Sequence, residues 1–393
     1  MIGFFIVKVK EVQHFYFDHN AASPLAPEVL REFGSALAEV YGNASSIHHF
    51  GQRAKQKLEA ARRTVATAIG GDSAEIVFTS GGTESDNLAI FGVSRRKAGP
   101  KHVVTTAIEH PAVLNACEAL AREGVAVTYL SPASNCRIDP EDLRRAIRPE
   151  TVLVSVMHAN NETGVLQPIE DCARIASEAG ILFHSDAVQT AGRVPVNVRT
   201  LGVDLLSIGG HKFGAPKGTG ALYIRKGVAV APILYGGHHE RDRRPGTENV
   251  AGAMALARAL SDQWDWNSLK VLRDRLESGI LARIPGARVN GSASGRLPNT
   301  TNIRFDGIEG EAMVIALDLR GFAVSSGSAC SSGAIEPSHV LLAMGLSPEE
   351  ARSSVRFSLG PGNTAEQVDA LVEAVTASVA HLRRISTSVV AHV

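Results

Sequence analysis

Cysteine is scarce in this chain. Four occur among 393 residues, Cys117, Cys136, Cys172 and Cys330, and no two stand in a CxxC spacing. That pattern offers neither a zinc site nor a disulfide framework, no metal site is expected, and a reducing cytoplasm suits it. Net charge is absent too. Forty basic and forty acidic residues cancel, so no global field favours nucleic acid or a membrane surface. Long apolar runs are missing: the longest are strand-sized and interrupted, too short to cross a bilayer. The N-terminal stretch Met1-Ile-Gly-Phe-Phe-Ile-Val-Lys-Val-Lys10 has no basic leader, and its apolar run stops at Lys8 without a small-residue cleavage site. A short strand is expected there, not a signal peptide. Neither internal repeats nor low-complexity segments occur.

What is present is a globular composition, 44% hydrophobic and 20% charged, on a chain long enough for two domains. Val/Ile/Leu-rich runs at 102–106, 125–130, 151–157, 181–184 and 204–208 alternate with helical segments. Such alternation predicts an α/β fold with a largely parallel sheet covered on both faces. After a helix over 249–262, shorter strand candidates at 287–290, 301–305, 323–326 and 356–358 mix with helices near 311–319, 338–344 and 365–384. That order reads as a smaller α+β domain.

In a parallel sheet, ligands bind where the strands' carboxyl ends open into loops. The polar clusters of this chain fall at those ends: Glu109-His110, His158-Ala-Asn-Asn161-Glu162, Ser185-Asp186-Ala-Val-Gln189 and His211-Lys212. A further strand, 75–79, runs into Ser80-Gly-Gly-Thr83 and a helix beginning near Asn87, a strand–turn–helix junction suited to an anion. Lys212 sits in a glycine-rich loop after a core strand, the setting of a Schiff-base amine. His48 and His49 are adjacent, point in different directions and read as structural. A loop lysine, an acid at a strand end, a helix N-terminus and a strand-end histidine together match what pyridoxal phosphate needs.

The motifs Ser80-Gly-Gly-Thr-Glu-Ser-Asp-Asn87, Thr106-Ala-Ile-Glu-His110, Met157-His-Ala-Asn-Asn-Glu162, Asp186-Ala-Val-Gln189, Gly210-His-Lys212, Arg244-Pro-Gly-Thr-Glu-Asn249 and Ser325-Ser-Gly-Ser-Ala-Cys330 occur in that order. With them, the chain resembles the cysteine desulfurases, in the class V aminotransferase-like group of fold-type I pyridoxal-phosphate enzymes. The resemblance runs from about 16 to 384. It implies a large domain over 16–262, built on a mostly parallel seven-stranded sheet, and a small domain of 1–15 and 263–393 that carries the cysteine loop.

By the same resemblance, Lys212 carries the aldehyde of pyridoxal 5′-phosphate as an imine and shuttles the Cα proton. Asp186 faces the pyridinium nitrogen, Gln189 the phenolic oxygen, and His110 stacks on the ring and assists proton transfer. Asn161 contacts cofactor or substrate. Gly82, Thr83 and His211 hold the phosphate, with Thr247 arriving from the other subunit of a homodimer. Gly209 stands in the same phosphate site, where family members usually have serine, so slightly weaker cofactor holding is expected. Arg356 clamps the carboxylate of L-cysteine, a bidentate task suited to guanidinium.

Cys330 sits among small and polar neighbours, as an ionisable thiol that accepts sulfur should; the other three cysteines read as structural. The implied activity is conversion of L-cysteine to L-alanine with a persulfide on Cys330. The stretch 331–344 resembles the long-loop branch, which passes sulfur to an iron–sulfur scaffold or a sulfur carrier for cluster assembly or thiolation. It admits transient contact of Cys330 with an iron–sulfur cluster. Residues 385–393 differ from the tail by which housekeeping members dock a scaffold, which leaves the acceptor open. The alternatives are a selenocysteine lyase, another enzyme of the class V group, or a non-catalytic sulfur-transfer adaptor. Cys330 argues against a plain aminotransferase, and the intact Lys212, Asp186, His110 and Cys330 argue against the adaptor.

Overall fold

The chain is described from a computed structural model, which covers residues 13–262, 264–326 and 336–390, with backbone only over 386–390. The strand expected within 1–10, and Cys330, lie outside the described residues. The first half holds β1 (Phe15–Tyr16), α1 (Pro27–Glu39), α2 (His49–Ala68), β2 (Ile76–Thr79), α3 (Gly82–Ser94), β3 (His102–Thr106), α4 (Pro111–Arg122), β4 (Ala126–Leu130), α5 (Pro140–Ala146), β5 (Thr151–Ser155), α6 (Ile169–Glu178) and β6 (Leu182–Asp186). Then come α7 (Val198–Leu201), β7 (Leu205–Gly209), β8 (Gly220–Ile224) and α8 (Val250–Ser261). The last third holds α9 (Trp266–Arg283), β9 (Ala287–Val289), β10 (Thr300–Phe305), α10 (Gly310–Asp318), β11 (Phe322–Ala323), α11 (His339–Ala343), α12 (Pro348–Arg352), β12 (Ser354–Ser358) and α13 (Ala365–Val390).

Seven strands form one sheet in the order β2-β8-β7-β6-β5-β3-β4. Only β8 runs against the rest, antiparallel to both β2 and β7. The period-two geometry of a strand sorts neighbouring residues to opposite faces. Val104, Val154 and Leu206 enter one apolar cluster with α2, α6 and α8, while Val103, Leu153 and Leu205 enter another with α3 and α4. Both faces are thus covered, which explains why these strands read as continuous apolar runs. The mostly parallel, seven-stranded α/β fold expected from the sequence is the one observed.

Helix α3 begins at Gly82, five residues before the start near Asn87 expected from the sequence. The hydroxyl-rich turn is therefore the helix's own first turn, and nine of its residues are buried against the sheet. Its entry depends on two glycines. Gly81 has φ of +150°, and a Cβ on Gly220 would lie 2.6 Å from the Gly81 Cα, so β8 and the α3 entry approach backbone to backbone.

A second core packs α9, α10 and α13 on the antiparallel sheet β9-β10-β12, around Leu276, Ile303, Phe305, Met313 and Phe357. Phe17 joins this core, because β1 pairs in parallel with β11. The 18-residue α9 was not expected from the sequence. Its buried residues are Leu269, Arg273, Leu276 and Ile280, a narrow stripe with an arginine inside it, and that breaks the apolar period. A small cluster of Ile108, Met157 and Val165 with Val340, Leu341 and Met344 ties α11 to the loops of the large sheet.

Candidate active site

The carboxyl ends of β3, β5, β6 and β7, with the first turn of α3, surround a cavity of about 570 Å³, the size of a small-ligand pocket. Nine of the residues singled out from the sequence line it: Gly82, Thr83, His110, Asn161, Asp186, Gln189, His211, Lys212 and Arg356. Thr247 lies apart, in a neighbouring cavity of about 190 Å³ that shares Ser80 and Gly218 with the first. Gly209 lies under Val188: a Cβ there would be 3.1 Å from Val188 Cγ1 and 3.4 Å from the Gly82 nitrogen.

Each side chain is held by local structure. Lys212 follows β7 through a short 3-10 turn, and its Nζ donates to the carbonyls of Asn20 at 2.7 Å and Ala21 at 2.8 Å. Asp186 ends β6 and accepts the Val188 N–H at 2.8 Å. Burial raises its carboxyl to about 6, against the pull of that N–H and of the Lys212 charge. His110 caps α4: its Nδ1 accepts the Ala112 N–H at 3.1 Å. A ring nitrogen that accepts carries no proton, so the neutral imidazole is protonated on Nε2. Burial, then the charge of Lys212, lowers its pKa to about 4. His211 is lowered to about 4, first by burial and then by Lys212 and neighbouring cations.

Arg356, on β12, is 4% exposed. Its Nη2 pairs with Asp18 Oδ1 at 2.7 Å and its Nη1 donates to the Asn161 carbonyl at 3.1 Å. Its Nε has no acceptor among the described residues. A buried donor without a partner suits an anionic ligand group.

Several residues of this site were missed or only half seen in the sequence. Tyr16-Phe-Asp-His-Asn-Ala-Ala reads as a small-residue turn near a ligand, but Asp18 and Asn20 turn out to hold Arg356 and Lys212. Asp86 lines the cavity, and its carboxyl is pushed well up by burial and by Asp186. Arg193 is fully buried and bonded to the Lys212 carbonyl and the Gln189 amide. Nothing in its sequence position, four residues past Gln189, marks it out except a lone charge in the apolar Thr190-Ala-Gly-Arg-Val run.

The donor set fits pyridoxal 5′-phosphate. No side chain caps α3 at Gly81, leaving first-turn N–H groups for an anion beside His211 and Lys217. A buried carboxyl and a lysine amine line the same cavity. Cys117, Cys136 and Cys172 are buried and pushed up to about 12 by that burial, which suits packing rather than thiolate chemistry. No metal-binding group of His, Cys, Asp and Glu occurs among the described residues, and none of their helices is long and apolar enough to cross a membrane.

A cavity of this make at the carboxyl edge of such a sheet defines a pyridoxal-phosphate enzyme, and the chain belongs to the Aminotransferase class-V family, whose profile matches residues 15–371. Pyridoxal 5′-phosphate is the cofactor of that family. Within it the chain falls among the cysteine desulfurases. It is 46% identical to the cysteine desulfurase of Nostoc sp. over 94% of both chains. A NifS-like protein superposes with a TM-score of 0.88 at 36% identity, covering 94% of this chain and all of that one. The solved structure of SspA in complex with cysteine superposes with a TM-score of 0.80 at 34% identity, over 89% of this chain and 99% of that one.

Proposed function

We propose that the cavity binds pyridoxal 5′-phosphate and L-cysteine, moves the sulfur of cysteine onto Cys330 as a persulfide and releases L-alanine. The observation that carries this reading is the convergence of Lys212, Asp186, His110 and Arg356 on one cavity of about 570 Å³. When bound, the cofactor supplies an electron sink that makes the Cα proton of an amino acid removable. Lys212 holds its aldehyde and moves the Cα proton through Nζ. Asp186 pairs with the ring nitrogen and Gln189 donates to the ring oxygen. Gly82, Thr83 and His211 hold the phosphate over the floor at Gly209, with Thr247 from the partner subunit of a homodimer. His110 would face the ring and, with its proton on Nε2, assist the proton transfer as a hydrogen-bond donor; with Nδ1 occupied by the Ala112 N–H it is not the base.

Arg356 takes the substrate carboxylate and Asn161 borders the same position. The Cys330 thiolate attacks the substrate sulfur: an S–S bond forms, the Cβ–S bond breaks, and its electron pair stays on the carbon fragment, which takes up protons to become alanine. The persulfide then passes to an acceptor, an iron–sulfur scaffold or a sulfur carrier protein, in the cytoplasm. The large domain spans 16–262, and the flanking segments form a small domain that presents Cys330. Alanine formation from L-cysteine tests the reading: the wild-type protein forms alanine, and sulfide when reductant is added. Cys330→Ala keeps the cofactor absorbance and loses both products. A cofactor-bearing wild type that forms no alanine refutes the reading.

A further inference from the structure

Arg193 is the largest fully buried side chain among the described residues. Among the described residues it forms no ion pair, although a buried guanidinium without a carboxylate is costly. Its compensation is complete hydrogen bonding to neutral oxygens. Nε donates to the Lys212 carbonyl at 3.1 Å, and Nη2 to the carbonyls of Lys212 at 2.5 Å and His19 at 2.6 Å. Nη1 donates to Asn20 Oδ1 at 2.6 Å and Gln189 Oε1 at 2.8 Å. All five guanidinium donors are used. Arg193 does not line the cavity, but Asn20, Gln189 and Lys212 do.

The polarity of this network is forced. A guanidinium can only donate, so the Gln189 oxygen must face Arg193. The Gln189 nitrogen then lies on the other branch, where it donates one hydrogen to the Asn20 carbonyl at 3.1 Å. Its second hydrogen remains, so the amide offers the cavity a donor and withholds its carbonyl. Asn20 closes the ring of contacts: its carbonyl accepts from both Gln189 and Lys212, and its side-chain oxygen accepts from Arg193. A reversed amide would set carbonyl against an anionic ring oxygen. The positive charge beneath the cavity, paired with no carboxylate among the described residues, also favours an anionic ligand, and burial keeps salt from screening it.

We propose that Arg193 is a positioning residue that fixes the Gln189 amide, and the Lys212 main chain beside it, so that the cavity presents an N–H to the cofactor's ring oxygen. This rests on the reading of Gln189 given under the proposed function. Lysine in its place keeps the charge but cannot reach these four acceptors with five donors in a planar fork.

The test uses the holoenzyme and three readouts: the pH titration of the cofactor absorbance band, the dissociation constant of pyridoxal 5′-phosphate, and the melting temperature. The variants are R193K, Q189A, their double variant and Q189E. Loss of one charge-assisted orientation corresponds to about tenfold in affinity. R193K is expected to weaken cofactor binding about tenfold and displace the band titration, as does Q189A. The double variant then moves the band no further than Q189A alone. Q189E keeps the Arg193 contact but turns an oxygen to the cavity, so it binds the cofactor less well than Q189A; it carries the test on its own should R193K not fold. A lower melting temperature with unchanged band and affinity in R193K overturns the proposal, as do additive effects in the double variant or wild-type behaviour of Q189E. An unchanged band in Q189A removes the reading of Gln189 itself, and the proposal with it.

Discussion

Replacing Arg356 with lysine perturbs the substrate carboxylate and little of the cofactor site. Arg356 is held from two sides, by Asp18 at 2.7 Å and by the Asn161 carbonyl at 3.1 Å, with Nε left without an acceptor among the described residues. The ion pair with Asp18 fixes the plane of the guanidinium before any ligand arrives, so little orientation entropy is lost on binding. Lysine keeps the charge and the contact with Asp18 or with substrate, but not both in fork geometry. One charge-assisted hydrogen bond of about 2 kcal/mol is lost, a factor of about 30 in kcat/KM. The contact is made equally before and during the chemical step, so the loss falls on KM. Steady-state alanine formation against L-cysteine concentration reads it, with the cofactor absorbance and melting temperature as controls for folding. A KM within threefold of wild type, in protein that retains the cofactor, refutes the assignment of Arg356 to the carboxylate.

Three further outcomes follow from the geometry. Gly209→Ser places its Cβ 3.1 Å from Val188 Cγ1, so the single variant loses about 1 kcal/mol of stability to overpacking; joined to Val188→Ala, the new hydroxyl improves cofactor retention severalfold, and no gain in equilibrium dialysis of the double variant contradicts this. Arg62 holds Glu240 through two bonds of 2.6 and 2.8 Å in a buried pair, and Glu240 also accepts the Phe78 N–H. Arg62→Met strands that carboxylate and costs about 3–5 kcal/mol in urea unfolding, and loosens the 240–247 loop that carries Thr247; a loss below 1 kcal/mol contradicts it. His19 and His184 are lowered to about 3, and His110, His158 and His211 to about 4, burial being the first cause in each. The unfolded chain therefore takes up their protons first, and stability falls as pH drops from about 6.5 towards 4. Glu109, raised to about 8, and Asp186, raised to about 6, oppose this, since their contribution is present in acid and lost as pH rises through those values. Near pH 5.5 the five histidines outweigh the acids, and unfolding of the apoprotein takes up about one to three protons; stability that is flat or rising on acidification contradicts the balance.

The large sheet was legible because β3, β5, β6 and β7 are buried on both faces and end in polar clusters, so Asp186, Lys212 and His110 stand out by position alone. The helix α9 was not, since its inward stripe includes Arg273, which donates to the carbonyls of Leu297 and Thr300. Composition and period cannot tell a buried, satisfied arginine from a solvated one. Arg193 escaped for the same reason: its meaning lies in five hydrogen bonds to four oxygens of residues 19, 20, 189 and 212, which only the fold brings together. The α3 start was misplaced because glycine and hydroxyl residues favour turns locally, whereas packing against the sheet rewards helix from Gly82 onward.

The central claim, that Cys330 receives the sulfur, is tested most directly by mass spectrometry of the holoenzyme after one turnover with L-cysteine in the absence of reductant. The account predicts one added sulfur atom on the peptide bearing Cys330, removed by reductant and matched by one alanine per site, with none on Cys117, Cys136 or Cys172. Alanine release with unmodified Cys330, or sulfur carried on another cysteine, contradicts it.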